Sequence, residues 1–428
     1  MALLSVSHIA CARESQSLVL DLDHTLLNSA TYNELDQDSG DKLEAWQAKE
    51  RGGEGGEGDE GGEGGEGGED KSAEDAGAGT GASSAAAGED GGAADASSRP
   101  LLHHLRHIHM WTKLRPHVHA FLRAASPMYE LYVYTMGARA YAAEMVALLD
   151  PDGTLGLRAS DRVIGKEDST ASHTKDLDVI LGSERTTLIV DDSPAVWPQF
   201  ASQLLVPRRY HFFPSSAARD GSLPAGTLPH LLTDADEPAT DGQLDALLSA
   251  LTKVHTHYFR ALDSAAAAPP DAADDAGAAG ESRAAAHPPH VSDSVRAVRR
   301  KVLRGVHAVF SHVIPLEQQR TPENHAAWRL ASELGAAIHT GTSERITHII
   351  AGSDGTDKVR WAKARGVHAV SIDWLASCGY LWRVAEEGDF PIDGKAHTKG
   401  VAPGERLGAS SATLPPPDLA AAAAAPGP

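Results

Sequence analysis

Cysteine is nearly absent from this chain. Cys11 and Cys378 stand alone among 428 residues, far apart and in unlike surroundings. They make neither a disulfide framework nor a thiolate zinc site, and such usage fits a reducing compartment, cytosol or nucleus. Aromatic residues are scarce, at 5%, because long stretches are low-complexity sequence that cannot build a core. No apolar run is long enough to cross a bilayer. The opening MALLSVSHIACARESQ lacks a basic n-region, which argues against a secretory signal. Basic residues are outnumbered, 38 Lys and Arg against 59 Asp and Glu, for a net charge of −21. General nucleic-acid binding needs basic faces that displace counterions, so neither nucleic acid nor a membrane is expected as a partner.

What the chain has in excess is glycine, 41 residues, and proline, 24. They mark its divisions. RGGEGGEGDEGGEGGEGGED and the Ala/Gly/Ser/Asp-rich sequence after it cannot bury apolar surface and carry mutually repelling charges, so residues 35–99 are expected to form a disordered acidic insertion. AAAAPPDAADDAGAAGESRAAAHPPH reads as a linker within 263–293, and 394–428 as a disordered tail. The folded parts are then 1–34 together with 100–262, and separately 294–393.

The segment SLVLDLDHTLLN, Ser17 to Asn28, is apolar and β-prone and then abruptly acidic. Burying unpaired carboxylates is costly, so Asp21 and Asp23 belong at the carboxyl end of the strand, where open α/β sheets bind ligands. YELYVYTMG ends a second strand at Thr135, and RTTLIVDDS ends a third at Asp191 and Asp192. ARAYAAEMVALLD has helical spacing, RRYHFF reads as a short strand, and DGQLDALLSALTKVHTHYF reads as a helix. Alternating strands and helices predict a parallel α/β sheet, whose carboxyl ends share one edge and gather these groups.

An acid cluster of this kind suits Mg²⁺, which takes oxygen ligands and substrate phosphate. One aspartate can attack phosphorus, and another can serve as general acid and then base. A hydroxyl such as Thr135 can hold a phosphate oxygen. Lys175, in HTKDLDVIL, can neutralise charge that develops in the transition state.

DLDHTL, YVYT, the lysine of TKDL, and LIVDD resemble the four motifs of the haloacid dehalogenase superfamily. MWTKLRPHVHAFL, DRVIG, KDLDVILG, LIVDDSPAVWP and RYHFF resemble, more narrowly, the RNA polymerase II C-terminal domain phosphatases, the plant-type members with a terminal BRCT module above all. The likeness covers Ser17 to Asn28 and about His103 to Phe213. It implies a haloacid-dehalogenase-like parallel sheet flanked by helices, with no large cap, and a small α/β BRCT domain. Asp21 is implied as nucleophile, Asp23 as general acid/base, and Lys175 as the cation that stabilises the phosphoryl group. Thr135 and Thr25 are implied at the substrate phosphate. Asp192, Asp21 and the backbone carbonyl of Asp23 would hold Mg²⁺, and Asp191 would orient metal water or Lys175. Lys166, in GKED, stands where relatives often carry arginine; an ammonium does not grip phosphate as a guanidinium fork does.

Small-metabolite enzymes of this design commonly close the site with an inserted cap. Here the first insertion is a Gly/Glu tether and the second, Asp150 to Lys175, is short. The cleft is therefore expected to be open and to suit an extended phosphorylated protein segment, with the acidic tether competing for its basic rim.

From about Ser294 onward a β–α order returns. VLRGVHAVFS and RITHIIAG are strand-like, ENHAAWRLASELGA and DKVRWAKARG helical, and VHAVSIDWLASCGYLW a strand followed by a helix. This resembles a BRCT domain, with Trp374 as its core aromatic and Gly335 as a turn glycine. Ser311 and Lys358 match the phosphopeptide-reading positions of such modules, with His312 in place of the usual glycine. RAVRRKVLR reads either as an import signal or as the edge of the first BRCT strand, and His103, His104, His107 and His109 mostly as solvated side chains.

The leading expectation is a Mg²⁺-dependent nuclear phosphatase acting on the phosphorylated C-terminal domain of RNA polymerase II, placed on the transcription machinery by its BRCT module. Two alternatives stay open on sequence: a phosphopeptide-binding adaptor with a decayed site, and a small-molecule phosphatase of the same superfamily.

Overall fold

The computed structural model describes residues 16–52, 99–159, 161–220, 228–267 and 289–392. The expectations for the acidic tether proper, the tail and most of the linker fall outside these residues.

The strands of the first unit are β1 (Gln16–Leu20), β2 (Leu27–Thr31), β3 (Leu102–Leu105), β4 (Met110–Leu114), β5 (Tyr129–Tyr134), β6 (Val163–Ile164), β7 (Leu188–Val190) and β8 (Leu204–Leu205). Its longer helices are α1 (Gln37–Gly52), α2 (Val118–Ala125), α3 (Arg139–Leu149) and α4 (Gln243–Ala266). The main sheet is parallel throughout, in the order β6-β5-β1-β7-β8. β1 is central and every one of its residues is buried, as expected for a strand covered on both faces. Leu20 lies opposite Val133 on one side and Val190 on the other. The chain segments that leave β5, β1 and β7 therefore emerge side by side. α2 and α4 cover one face, with Phe121, Leu122, Leu247, Leu251 and Val254 packed on Leu18, Leu20 and Val133.

The first insertion is not wholly structureless, contrary to the expectation for 35–99. Gln37–Gly52 is a helix, and with Leu102–Leu105 and Met110–Leu114 it packs beside β2. Leu43 and Trp46 join Trp111, Tyr210, Phe212 and Leu231 in a satellite core. The Glu50 carboxylate accepts from the Leu101 and Leu102 amides and from Lys113 Nζ, so it clamps both ends of the intervening segment together. The residues RRYHFF form no ladder: the Phe212 and Phe213 amides donate to Asn28 Oδ1, both at 2.9 Å. A side-chain acceptor has taken the place of a neighbouring strand.

The second unit contains β9 (His307–Ser311), β10 (Ala337–His339), β11 (His348–Ala351) and β12 (His368–Ser371), preceded by helix α5 (Val291–Arg299) and interleaved with α6 (Ala326–Glu333), α7 (Asp357–Arg365) and α8 (Ile372–Leu381). Its sheet is parallel, ordered β10-β9-β11-β12. Trp374 is fully buried and donates to the Ala385 carbonyl at 2.9 Å. Gly335 has φ +94°, and a Cβ there would lie 1.9 Å from the Arg300 carbonyl oxygen, so a side chain is excluded.

The boundary at 294 and the reading of 296–304 as a strand edge are both corrected. Arg296–Arg299 lie in α5, and Val291, Val295 and Val298 pack with α4 in the core of the first unit. α8 also touches that unit: Gln243 Nε2 donates to the Tyr380 carbonyl at 2.8 Å and Arg208 Nη2 to Ser377 Oγ at 3.2 Å.

Asp373, near the start of α8, is buried in the second unit, and burial pushes its carboxyl up to about 6 despite the charge of Arg208. A carboxyl raised on folding binds its proton more tightly in the native state, so its contribution to stability is lost as pH rises from about 4 to about 6. Asp373→Asn should raise the melting temperature at pH 7.5 by about 2–4 °C, with the gain shrinking toward pH 4. Paired thermal melts across that range would check it; an equal gain at every pH would mean that titration is not the cause.

Candidate active site

Asp21, Asp191 and Asp192 follow directly on β1 and β7, and their carboxylate oxygens lie within 4.8 Å of one another. All three are buried. Lys175 arrives from the loop before β7 and donates to Asp21 Oδ1 and Asp191 Oδ2, both at 2.6 Å. Its ammonium lies over the rings of Tyr134, at 5.5 Å, and Trp197, at 5.8 Å. Burial would pull this lysine down, but the charges of Asp21 and Asp191 outweigh it and hold it above its usual range.

Asp191 also accepts from Trp197 Nε1 at 2.9 Å and from the Ser193 amide at 2.8 Å. Its oxygens are thus engaged in orienting Lys175. Asp192 accepts from Thr25 Oγ1 at 3.2 Å and pairs with Arg209 Nε at 2.6 Å. Burial, then the neighbouring charge of Asp191, pushes Asp192 up to about 6. The same two causes, in the same order, raise Asp21 well above the carboxylate range. Buried like charges this close stabilise any cation that enters, and the donors are all oxygen, which fits Mg²⁺.

Asp23 points elsewhere. Tyr141 OH donates to its Oδ1 at 2.7 Å, and Ser29 Oγ lies 2.9 Å from the same phenol. Burial raises the Asp23 carboxyl, which suits a group that must carry a proton at neutral pH. The loop between them is tight. The Thr25, Leu26 and Leu27 amides all bond the Leu22 carbonyl, and His24 adopts φ 64° to close the turn.

Thr135, at the end of β5, is buried and its Oγ1 accepts from the Gly137 amide at 3.0 Å. Thr25 is drawn to Asp192, so it stands with the acids and holds one of them. Lys166 is exposed, and its amide bonds the Gly137 carbonyl at 2.9 Å, one residue pair away from Thr135. Tyr141, Arg209 and Arg115 were not singled out from sequence. Their only signal was proximity to the motifs, Tyr141 lying six residues after Thr135 and on the inner side of α3.

In the second unit, Ser311 Oγ lies 2.9 Å from Thr356 Oγ1, while Lys358 Nζ donates to the carbonyls of Phe310, at 2.9 Å, and Thr340, at 3.5 Å. Both stand at the end of β9, next to His312, whose φ of 55° is the conformation that glycine favours.

Residues 94–237 match the model of the NLI interacting factor-like phosphatases, and residues 299–378 match that of the BRCA1 C Terminus (BRCT) domain. The chain carries an NLI interacting factor-like phosphatase domain and a BRCT domain. The first match begins at residue 94, near the end of the insertion, yet β1 with Asp21 is the central strand of the same sheet as β5, β6, β7 and β8. The chain is 38% identical to RNA polymerase II C-terminal domain phosphatase-like 4 of Arabidopsis thaliana over 68% of its length and 59% of the relative's. It is 32% identical to phosphatase-like 3 of the same plant over 89% of its length and 26% of the relative's. It thus spans 59% and 26% of these curated relatives. The structure of Fcp1, described as an essential RNA polymerase II CTD phosphatase, aligns with a TM-score of 0.53 at 21% identity, covering 91% of this chain and 99% of that one. The two-unit fold of the phosphatase and BRCT domains is therefore that of Fcp1.

Proposed function

We propose that this chain is a Mg²⁺-dependent protein serine phosphatase that removes phosphate from the C-terminal heptad repeats of RNA polymerase II in the nucleus. The observation that carries the reading is Lys175 held between Asp21 and Asp191 at the carboxyl edge of the sheet, each bond 2.6 Å. That leaves a buried carboxylate beside a fixed cation, next to Thr135 and Asp23. The relatives named as polymerase C-terminal domain phosphatases support the choice of substrate.

Asp21 attacks phosphorus and the serine oxygen leaves, taking the proton that Asp23 carries. Tyr141 holds the Asp23 carboxyl in place. Asp23, now ionised, removes a proton from water, which attacks the aspartyl-phosphate, frees inorganic phosphate and restores Asp21. Lys175, oriented by Asp191 and Trp197, balances charge on the phosphoryl oxygens throughout, and Thr135 offers a hydroxyl to one of them. Asp21 and Asp192, with the Asp23 carbonyl, would hold Mg²⁺; when bound, it offsets the repulsion between the phosphate and these acids. Thr25 acts by holding Asp192. Lys166 lies on the rim, where it reaches a substrate segment rather than the reacting phosphate. The BRCT domain, docked through α8 and α5, would meet a protein of the transcription machinery, and a phosphopeptide read at Ser311 would take the third N–H of Lys358 beside the two carbonyls it now serves.

The test is phosphate release from singly phosphorylated heptad peptides, with Mg²⁺ and after chelation, beside sugar phosphates. Release from the peptides alone, lost on chelation and restored by Mg²⁺, is expected. Binding without release would favour the adaptor reading, and preference for sugar phosphates the small-molecule one.

A further inference from the structure

A second group of metal-ligating side chains lies in the BRCT domain, away from the acids. β11 and β12 pair in parallel with His348 directly opposite His368. Their rings stack at 4.9 Å with 17° between planes. The turn after α8 brings Glu387, whose Oε1 is 3.2 Å from His348 Nε2. One donor atom from each of the three lies within 4.8 Å of the others.

His348 is built in rather than solvated. It is buried, and its ring lies 4.7 Å from that of Trp374 at 22°. Its Nδ1 is 2.8 Å from Thr347 Oγ1, and that hydroxyl lies 3.3 Å from the His307 carbonyl oxygen. This arrangement can support metal ligation. With Nε2 on a metal, Nδ1 keeps its hydrogen and donates it to Thr347, whose own hydrogen turns to the His307 carbonyl. Metal-bound histidines are commonly oriented through such an outer partner. His368 is exposed and Glu387 half-buried, so an ion can enter from solvent and these two can close on it.

We propose that His348, His368 and Glu387 form a transition-metal site, with Zn²⁺ as its ligand. Two imidazoles and one carboxylate suit a borderline ion, whereas Mg²⁺ takes oxygen alone. Three protein ligands leave a fourth position to water. The ion ties β11, β12 and the turn after α8 together, and so braces the helix that touches the phosphatase domain.

The test uses the full chain in excess Mg²⁺, which keeps the acid cluster occupied. Zn²⁺ titrated calorimetrically should bind the wild-type chain with one equivalent more than His368→Ala, a surface substitution whose folding is verified by circular dichroism. Co²⁺ should give tetrahedral ligand-field bands in the wild type and lose them in the variant. Thr347→Val should weaken binding by about 10–100-fold. Equal stoichiometry and equal Co²⁺ spectra in wild type and His368→Ala would overturn the site and assign any bound metal to other histidines.

Discussion

Asp21→Asn is expected to lower phosphate release from a phosphoserine peptide by at least about 10⁴-fold, the scale seen when a nucleophile is removed from an otherwise intact site. The substitution conserves shape and removes one negative charge. Asp21 is buried beside Asp191 and Asp192, and burial and their charges already push its carboxyl up. A neutral amide relieves that crowding. Lys175 loses one partner but keeps Asp191 at 2.6 Å. Thermal melting should therefore stay level or rise while turnover vanishes. Peptide affinity should persist, because Thr135, Lys166 and the rim are untouched. The measurement pairs kcat with melting temperature and with intact mass after substrate addition, where the wild type alone can carry a covalent phosphate. Wild-type turnover in the Asn variant would dispose of the nucleophile assignment.

Arg115→Leu should be the most damaging change outside the reacting groups. Arg115 is fully buried. Its Nε and Nη2 donate to the two oxygens of Glu237 at 2.7 Å each, Nη1 donates to the Thr25 carbonyl at 2.9 Å, and Nη2 also to the Arg208 carbonyl at 2.9 Å. Burial alone would raise Glu237, but Arg115 holds it ionised. Leucine would strand that carboxylate and two carbonyls, at a cost of about 3–5 kcal/mol. The Thr25 and Arg208 segments carry the loop after β1 and the arginine that pairs with Asp192, so the proposed activity should fall as well. Denaturant unfolding checks the first effect. The double variant with Glu237→Leu should recover part of the loss, since no buried charge is then left unpaired; a loss in the double variant equal to the sum of the two single losses would refute the coupling.

The acids and the hydroxyl of the candidate site were legible because they interrupt an otherwise apolar pattern. LVL before Asp21, YVY before Thr135 and LIV before Asp191 are strand cores that end in polar atoms, and a parallel sheet aligns such ends whatever the spacing between them. Lys175 was legible from its place just upstream of the LIVDD strand as well as from the resemblance, since a lone lysine is otherwise ordinary. The helix at 37–52 was missed because its polarity outweighs its signal: Leu43 and Trp46, three residues apart, are the inner-face residues, and Glu50 works only by reaching Leu101 and Lys113. RRYHFF has strand composition, but its amides found Asn28 first. Arg115 and Tyr141 look like ordinary helix or strand residues until the fold places Glu237 and Asp23 against them.

Composition and periodicity were sufficient to determine a parallel α/β sheet, an acidic segment inserted into it and a small β–α module after it, since those depend on local hydrophobic pattern. Which acid turns toward Lys175 and which toward Tyr141, how α5 and α8 join the two units, and how histidines from neighbouring BRCT strands meet were decided only in three dimensions. Each depends on a partner distant along the chain, and a buried charge or imidazole takes its role from the group that solvates it in place of water.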